Sequence, residues 1–251
     1  MATTHPDRHF ARVAPYYQAV RITDEEPVVE VAASLPSRAL RGLEVGCGTG
    51  RYTELLLRHL GAGSSIVAVD ACWEVIEGLR STAKAGLDIR PVCGDAAALP
   101  FGGGDFDFAA TFNAIHHFDV GGFLAGVARV LRPGGRLFVY TRTPEQNARS
   151  IWGRRFPGFR EKETRLLSLD RLEEAVAKTA GLALVGAREY AFRRRESVAV
   201  LVARARAHSY STFSLYGQEE LAEALSRFLD SLPCDPVDWV DENMLVVAER
   251  R

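Results

Sequence analysis

Gly46, Gly48 and Gly50 fall at alternate positions of LEVGCGTGRYT (43–53), directly after an apolar run. A glycine loop at the carboxyl end of a buried strand can take positive φ, and it lets main-chain amides approach a bound molecule with no Cβ in the way. Two acids follow at the ends of further apolar runs: Asp70 closes IVAVD, and Asp95 stands in VCGDAAALPF. A carboxylate at such an edge accepts paired hydrogen bonds from a ligand diol, and a charged acceptor bonds more strongly than a neutral one. For Asp70 the competing role is to cap a helix starting near Trp73; for Asp95 it is to stabilise a turn. His116 and His117, in NAIHHF, add two imidazoles. Neutral imidazole is the usual general base near pH 7, so either ring could take a proton from a hydroxyl or amine; wall packing at a helix start is the alternative.

These residues need a scaffold that brings strand ends together. Between Arg41 and Tyr140 apolar, β-branched runs alternate with helical stretches, the βαβα order that demands a parallel sheet covered on both faces. Strands are expected at 43–46, 65–70, 89–93, 106–113 and 136–141, with helices near 53–59, 74–83 and 123–131. Gly134 and Gly135 after Pro133 mark the turn into the fifth strand. The segment 143–170, with Pro144, Pro157 and several aromatics, interrupts the rhythm; an insertion at the carboxyl edge of such a sheet overhangs the ligand crevice. A helix at 169–180 and a sixth strand at 182–192 follow. The last strand is placed at 243–250, although VAVLVA (198–203) also has strand periodicity. Residues 219–232 read as an amphipathic helix, with Leu221, Leu225, Phe228, Leu229 and Leu232 on one face.

Taken together, LEVGCGTGRYT, IVAVD, VCGDAAALPF, DFDFAATFNAIHHF and LRPGGRLFVY resemble the class I S-adenosylmethionine-dependent methyltransferases, in the small-molecule (type 11, quinone-methyltransferase-like) branch, over roughly Phe10 to Tyr140. The resemblance implies an α/β fold: a three-layer, doubly wound, mostly parallel seven-stranded sheet of the Rossmann-like methyltransferase kind. Its last strand would be antiparallel, and lid insertions would lie at about 1–35, 142–170 and 193–235 of a single domain spanning 1–251. It implies S-adenosyl-L-methionine as cofactor and S-adenosyl-L-homocysteine as product. Glu44, Gly46, Cys47, Gly48 and Gly50 would then serve the methionyl end, and Asp70 the ribose. Ala71, Cys72 and Trp73 would lie beside the adenine, with Leu99 and Phe101 completing its slot; Asp95 would accept from the exocyclic amine and the Ala96 amide would face the ring. Asn113 would mark the edge between cofactor and acceptor. In the amino-terminal helix of such enzymes, Tyr16 would touch the methionyl group and Tyr17 the acceptor. His117, slightly ahead of His116, would act as base and line the acceptor pocket with His208 and Tyr210.

Composition narrows the alternatives. A chain of 251 residues, 47% hydrophobic and 25% charged, suits one three-layer α/β domain. The net charge of −1 weighs against a nucleic-acid partner whose affinity comes from phosphate neutralisation. Arg149, Arg154, Arg155, Arg160 and Arg165 cluster, as do Arg193, Arg194, Arg195, Arg204 and Arg206; solvated arginines and attraction of an anionic substrate are the two readings. No apolar run reaches about 18 residues and the first ten lack a secretory apolar stretch, so a cytoplasmic protein without a membrane partner is expected, as monomer or homodimer. Cys47, Cys72, Cys93 and Cys234 read as reduced thiols, and no metal-ligand spacing stands out. The leading expectation is methyl transfer to an O, N or C nucleophile of a small metabolite, an anionic one being one option. AIHHF with PEQN (144–147) also resembles tRNA wobble-uridine methyltransferases, and a cofactor-binding protein without catalysis is a further alternative. A nicotinamide enzyme fits worse, since the third glycine comes one residue too early for GxGxxG.

Overall fold

In the computed structural model of the protein, residues 22–82 and 86–251 are described. Seven strands form one sheet: β1 Arg41–Val45, β2 Ser65–Asp70, β3 Asp88–Cys93, β4 Phe106–Phe112, β5 Leu131–Thr141, β6 Leu182–Glu196 and β7 Val237–Arg250. Their order across the sheet is β3-β2-β1-β4-β5-β7-β6. The first five run parallel, and β7 pairs antiparallel with both β5 and β6. The chain therefore reverses direction across the sheet between β1 and β4, and ligands of such sheets sit beyond the strand ends at that switch point.

Burial explains the continuous apolar runs. Every residue of β4 is buried, as a central strand with both faces covered requires. Phe108, Ala110 and Phe112 turn to one face, where they pack with Val28, Val31, Leu56 and Tyr52. Ala109 turns to the other face, against Phe123, Leu124 and Val127 of the helix Val120–Val130. The helix Glu26–Ala33 thus belongs to a covering layer of the sheet. A third apolar cluster reaches the start of β7 at Val237: Trp152, Phe156 and Phe159 of the 142–170 insertion interlock with Leu201, Phe213 and Phe228, and Trp152 stacks on Phe228 at 5.1 Å. The two segments expected as separate lids, 142–170 and 193–235, share one aromatic core.

The strand at 65–70 has the bounds read from its sequence, and β1 ends at Val45 because Gly46 leaves the ladder at φ 72°. β6 runs four residues past its expected end, paired to β7 as far as Glu196↔Val237. Residues 198–206 are helical: Ser197 Oγ accepts from Val200 N, and Leu201 and Ala205, one turn apart, are buried. Of the amphipathic face on the helix Gln218–Asp230, Leu225 and Phe228 are buried, whereas Leu229 stays exposed at 36%.

Candidate active site

The glycine loop hooks onto the neighbouring strand. Gly46 N and Cys47 N both donate to Val69 O, at 2.8 and 3.0 Å, which fixes the loop against the end of β2. A Cβ on Gly46 would sit 2.5 Å from the Ala114 methyl and 2.9 Å from the Phe118 ring, so glycine is required there for close approach. Gly48, at φ 53°, differs: nothing lies within 4 Å of where its Cβ would be. That open space is part of a cleft of about 230 Å³ lined by Glu44, Gly46, Cys47, Gly48, Asp70, Ala71, Cys72, Asp95, Ala96, Asn113 and His117, among others. Gly50 does not line it; this residue takes φ 77° at the start of the helix Arg51–His59, with its Cα side against Leu79.

Asp70 ties two loops to one carboxylate. Its Oδ2 accepts from Gly48 N at 2.9 Å and its Oδ1 from Cys72 N at 3.0 Å. The bond to Cys72 N is an Asx-type turn ahead of the helix Trp73–Thr82, and neither donor belongs to that helix, so the capping role weighed for Asp70 is not what these bonds perform. Asp95 is exposed at the rim, where its Oδ1 accepts from Ala97 N at 2.9 Å, a turn contact of the kind expected for it. Leu99 and Phe101 belong to the core instead of an adenine slot: Leu99 is 3% exposed, and Phe101 packs edge-on to Phe106 at 5.2 Å. Trp73 is 52% exposed, its ring under the Arg80 guanidinium, and it does not line the cleft.

Glu44 is buried at the floor. Thr53 Oγ1 donates to its Oε2 at 2.5 Å. Burial pushes the carboxyl up to about 8, against the lowering pull of the Thr53 bond and of Arg51. Burial also raises both cleft thiols, Cys47 well above its usual range and Cys72 to about 11, so neither is a thiolate nucleophile near neutral pH. Cys93 and Cys234 are free and exposed.

Asn113 joins this cleft to a second, smaller cavity of about 60 Å³. It takes φ 55°, a conformation that asparagine tolerates and β-branched residues do not, and its N–H donates to Tyr140 O at 2.7 Å. Asn113→Gly should leave stability nearly unchanged, and Asn113→Val should cost about 1–2 kcal/mol in urea denaturation; equal stability of the two variants would show that the backbone relaxes there.

The second cavity is polar and built from distant elements. Asp24, His116, Arg142, Asn147, Glu163, Arg194, Arg204, Tyr210 and Asp241 contribute to it. The two histidines separate: His116 lines this cavity, with Nε2 3.5 Å from Ser211 Oγ, while His117 lines the glycine-loop cleft, ring centroids 4.1 Å apart. Tyr210 lines the second cavity; His208 lines neither cavity, and its Nδ1 is 3.2 Å from Ser214 Oγ. Tyr16 and Tyr17 lie outside the described residues.

Several lining residues have no counterpart among the sequence candidates. Asp24 is 8% exposed, accepts from Tyr140 Oη at 2.7 Å and pairs with Arg194. Arg51 lines the first cleft and donates to Ile22 O and Thr23 Oγ1, pinning residues 22–23 beside it. Glu163, held below the usual carboxylate range by Arg165 and Thr212 despite its burial, braces Ser211 through Arg165. The clustered arginines divide: Arg194 and Arg204 line the cavity, whereas Arg149 pairs with Glu242 and Arg160 with Glu161 outside it. Among the described residues, no group of three or more His, Cys, Asp or Glu side chains is placed to hold a metal ion, and no helix is long and apolar enough to cross a membrane.

The strand order, the reversed last strand and a glycine-loop cleft at the switch point are those of the Rossmann-like fold of class I methyltransferases. Residues 43–135 match the family described as "Methyltransferase domain". The chain is 32% identical over 162 residues to the ubiquinone biosynthesis O-methyltransferase of Brucella anthropi, covering 61% of this chain and 64% of that one. It is 28% identical over 148 residues to the mouse tRNA (carboxymethyluridine(34)-5-O)-methyltransferase ALKBH8, covering 57% of this chain but 20% of that one. The chain thus spans less than two thirds of the length of these curated relatives. Among solved structures, the YcgJ protein from Bacillus subtilis superposes with a TM-score of 0.63 at 20% identity, over 90% of this chain and 97% of that one, a likeness of fold.

Proposed function

We propose that the chain binds S-adenosylmethionine in the 230 Å³ cleft and transfers its methyl group to a small molecule entering through the 60 Å³ cavity. The observation that carries this reading is the open space at Gly48 on a cleft that Asp70 and the buried Glu44 also line, where a ligand can approach the main chain with no Cβ in the way. Asp70 would accept from the ribose hydroxyls, Asp95 from the adenine amine, and Glu44 would face the methionyl ammonium. The bound sulfonium supplies an already activated methyl group. The protein's share is alignment and exclusion of water, which can lower a barrier by roughly 7 to 11 kcal/mol without a strong base. Asn113, common to both cavities, stands at the reacting edge, and His116, on the acceptor side, is better placed than His117 to take a proton from the acceptor. The segments 142–170 and 193–235 would cover the acceptor as one unit within a single domain, since Asn147, Glu163, Arg204 and Tyr210 all reach the cavity.

The PEQN segment, one of the two motifs of the tRNA resemblance, has a local structural role. PEQN forms the start of the helix Pro144–Arg149, in a capping box: Thr143 Oγ1 accepts from Gln146 N and Gln146 Oε1 from Thr143 N, at 3.2 and 3.0 Å.

The test is calorimetry with S-adenosylhomocysteine, followed by its detection as product when the protein is incubated with S-adenosylmethionine and fractionated metabolites. Binding without product in any fraction would leave a cofactor-binding protein; absence of binding by folded material would overturn the reading.

Glu44 adds a pH signature. Its carboxyl titrates near 8 in the free protein, and a cationic ligand group favours the ionised form. Binding should release a proton, so affinity for S-adenosylhomocysteine should rise between pH 6 and 7.5, by up to about tenfold per pH unit while the ligand ammonium stays protonated. Glu44→Gln should flatten that slope. For stability the sign is the reverse of an ordinary ion-paired acid. The raised value means that the folded state holds a proton the unfolded chain gives up, so this contribution is full below about 4.5 and is lost as pH rises through about 8. Glu44→Gln should therefore melt higher than the unmodified protein at pH 9 and close to it at pH 5.

A further inference from the structure

The second cavity holds a pair of opposite charges that face each other without a hydrogen bond. Arg142 Nη1 lies 3.7 Å from Asp241 Oδ1, beyond hydrogen-bond length. Both atoms are buried, and neither has a hydrogen-bond partner among the described residues. Arg194 Nε, 3.9 Å from Asp241 Oδ2, is in the same state. The residues themselves are deeply placed, Arg142 at 9% and Asp241 at 3% exposure. Their positions are fixed from behind: Arg142 Nε donates to Asn243 Oδ1 at 3.3 Å and the guanidinium lies over the Tyr210 ring, while β7 carries Asp241 in register with Phe192. A buried donor or acceptor without a hydrogen bond destabilises the fold even when an opposite charge lies nearby, so an occupant able to satisfy both a donor and an acceptor is favoured here.

Charge decides what kind. The cavity is lined by Arg142, Arg194 and Arg204 on one side of the ledger and by Asp24, Glu163 and Asp241 on the other. Arg194 is engaged with Asp24, Arg204 with Glu196, and Glu163 with Arg165. An anion entering next to Arg142 would meet Asp241 at the same point and gain little net attraction. A neutral group that accepts from Nη1 and donates to Oδ1 meets no such opposition. The volume of about 60 Å³ admits an end group and no more, since a void of about 150 Å³ is what a benzene ring occupies.

We propose that this cavity seats the end of the methyl acceptor that carries a neutral donor–acceptor group, a carboxamide or a hydroxyl, bridging Arg142 and Asp241. The inference rests on the assignment of the two cavities to donor and acceptor, and its clamp is built on Arg142, which lies outside both arginine clusters of the sequence.

The test uses trifluoroacetamide and trifluoroacetate as matched probes, read by fluorine NMR line broadening on the intact protein, with S-adenosylhomocysteine calorimetry run in parallel on the same samples. The amide should bind at least fivefold more tightly than the anion. In Asp241→Asn, which removes the opposing charge, the ratio should swing toward the anion by at least tenfold, with homocysteine-product affinity unchanged within about threefold. Should that variant fail to fold, Arg142→Lys, which keeps the charge and alters the fork, should weaken the amide at least threefold. Preference of the unmodified protein for the anion, binding of neither probe, or a ratio unmoved in a folded Asp241→Asn would overturn the proposal. Loss of S-adenosylhomocysteine binding by the unmodified protein would strike the donor assignment instead.

Discussion

Replacing Asp70 by Ala is expected to weaken S-adenosylhomocysteine binding about a hundredfold in calorimetry, which corresponds to about 2.8 kcal/mol. The size of the effect comes from a double duty. The carboxylate would accept from the ligand, and it already holds Gly48 N and Cys72 N, so the variant loses a charged acceptor and unties both loops that border the cleft. Asp70→Asn keeps one acceptor oxygen and should fall only about tenfold. Asp95→Ala should fall less than tenfold, because Asp95 is exposed and its bond to Ala97 N belongs to its own turn. A change of less than threefold in Asp70→Ala would remove this residue from the binding site.

The second large effect separates two glycines of one loop. Gly46→Ala should abolish binding and lower stability by several kcal/mol in urea denaturation, since its new methyl would overlap Ala114 and Phe118 on a backbone at φ 72°. Gly48→Ala should cost only the backbone penalty of about 1–2 kcal/mol, because its methyl enters open space. Its affinity for S-adenosylhomocysteine should nevertheless fall at least thirtyfold, as that space is the one a ligand would fill. A Gly48→Ala protein that binds as before would place the ligand elsewhere.

Much of this was legible in the chain. Alternating apolar and amphipathic stretches gave β1 to β5 in order because parallel strands buried on both faces need continuous apolar runs, as β4 displays in full. The helix at 198–206 shows where periodicity is ambiguous: VAVLVA suits a strand, yet Ser197 caps it and its burial repeats every four residues. The second cavity was less legible for a different reason. Arg193, Arg194 and Arg195 look alike in sequence, but on β6 only Arg194 turns inward, toward Asp24, while its neighbours are exposed. Its partners come from β7 and from residue 24, and pairings over such separations leave no local trace in composition or spacing. Arg51 was likewise hidden, as one helix-start residue among many until residues 22–23 were seen lying against it.

The position of β7 has a consequence for how the protein is made. β5 and β6 are not paired with each other; the edge of β5 that β4 leaves open and the paired edge of β6 both find their partner in Val237–Arg250. During synthesis, β5 keeps a bare backbone edge until everything from 142 to 236 has left the ribosome and the strand that covers it arrives. Arg142 waits with it, since its partners Asp241 and Asn243 ride on that same strand. Completing the sheet and assembling the polar clamp are thus one late event, and a nascent chain halted before residue 237 would expose an adhesive strand border to whatever chaperone or sister chain is near.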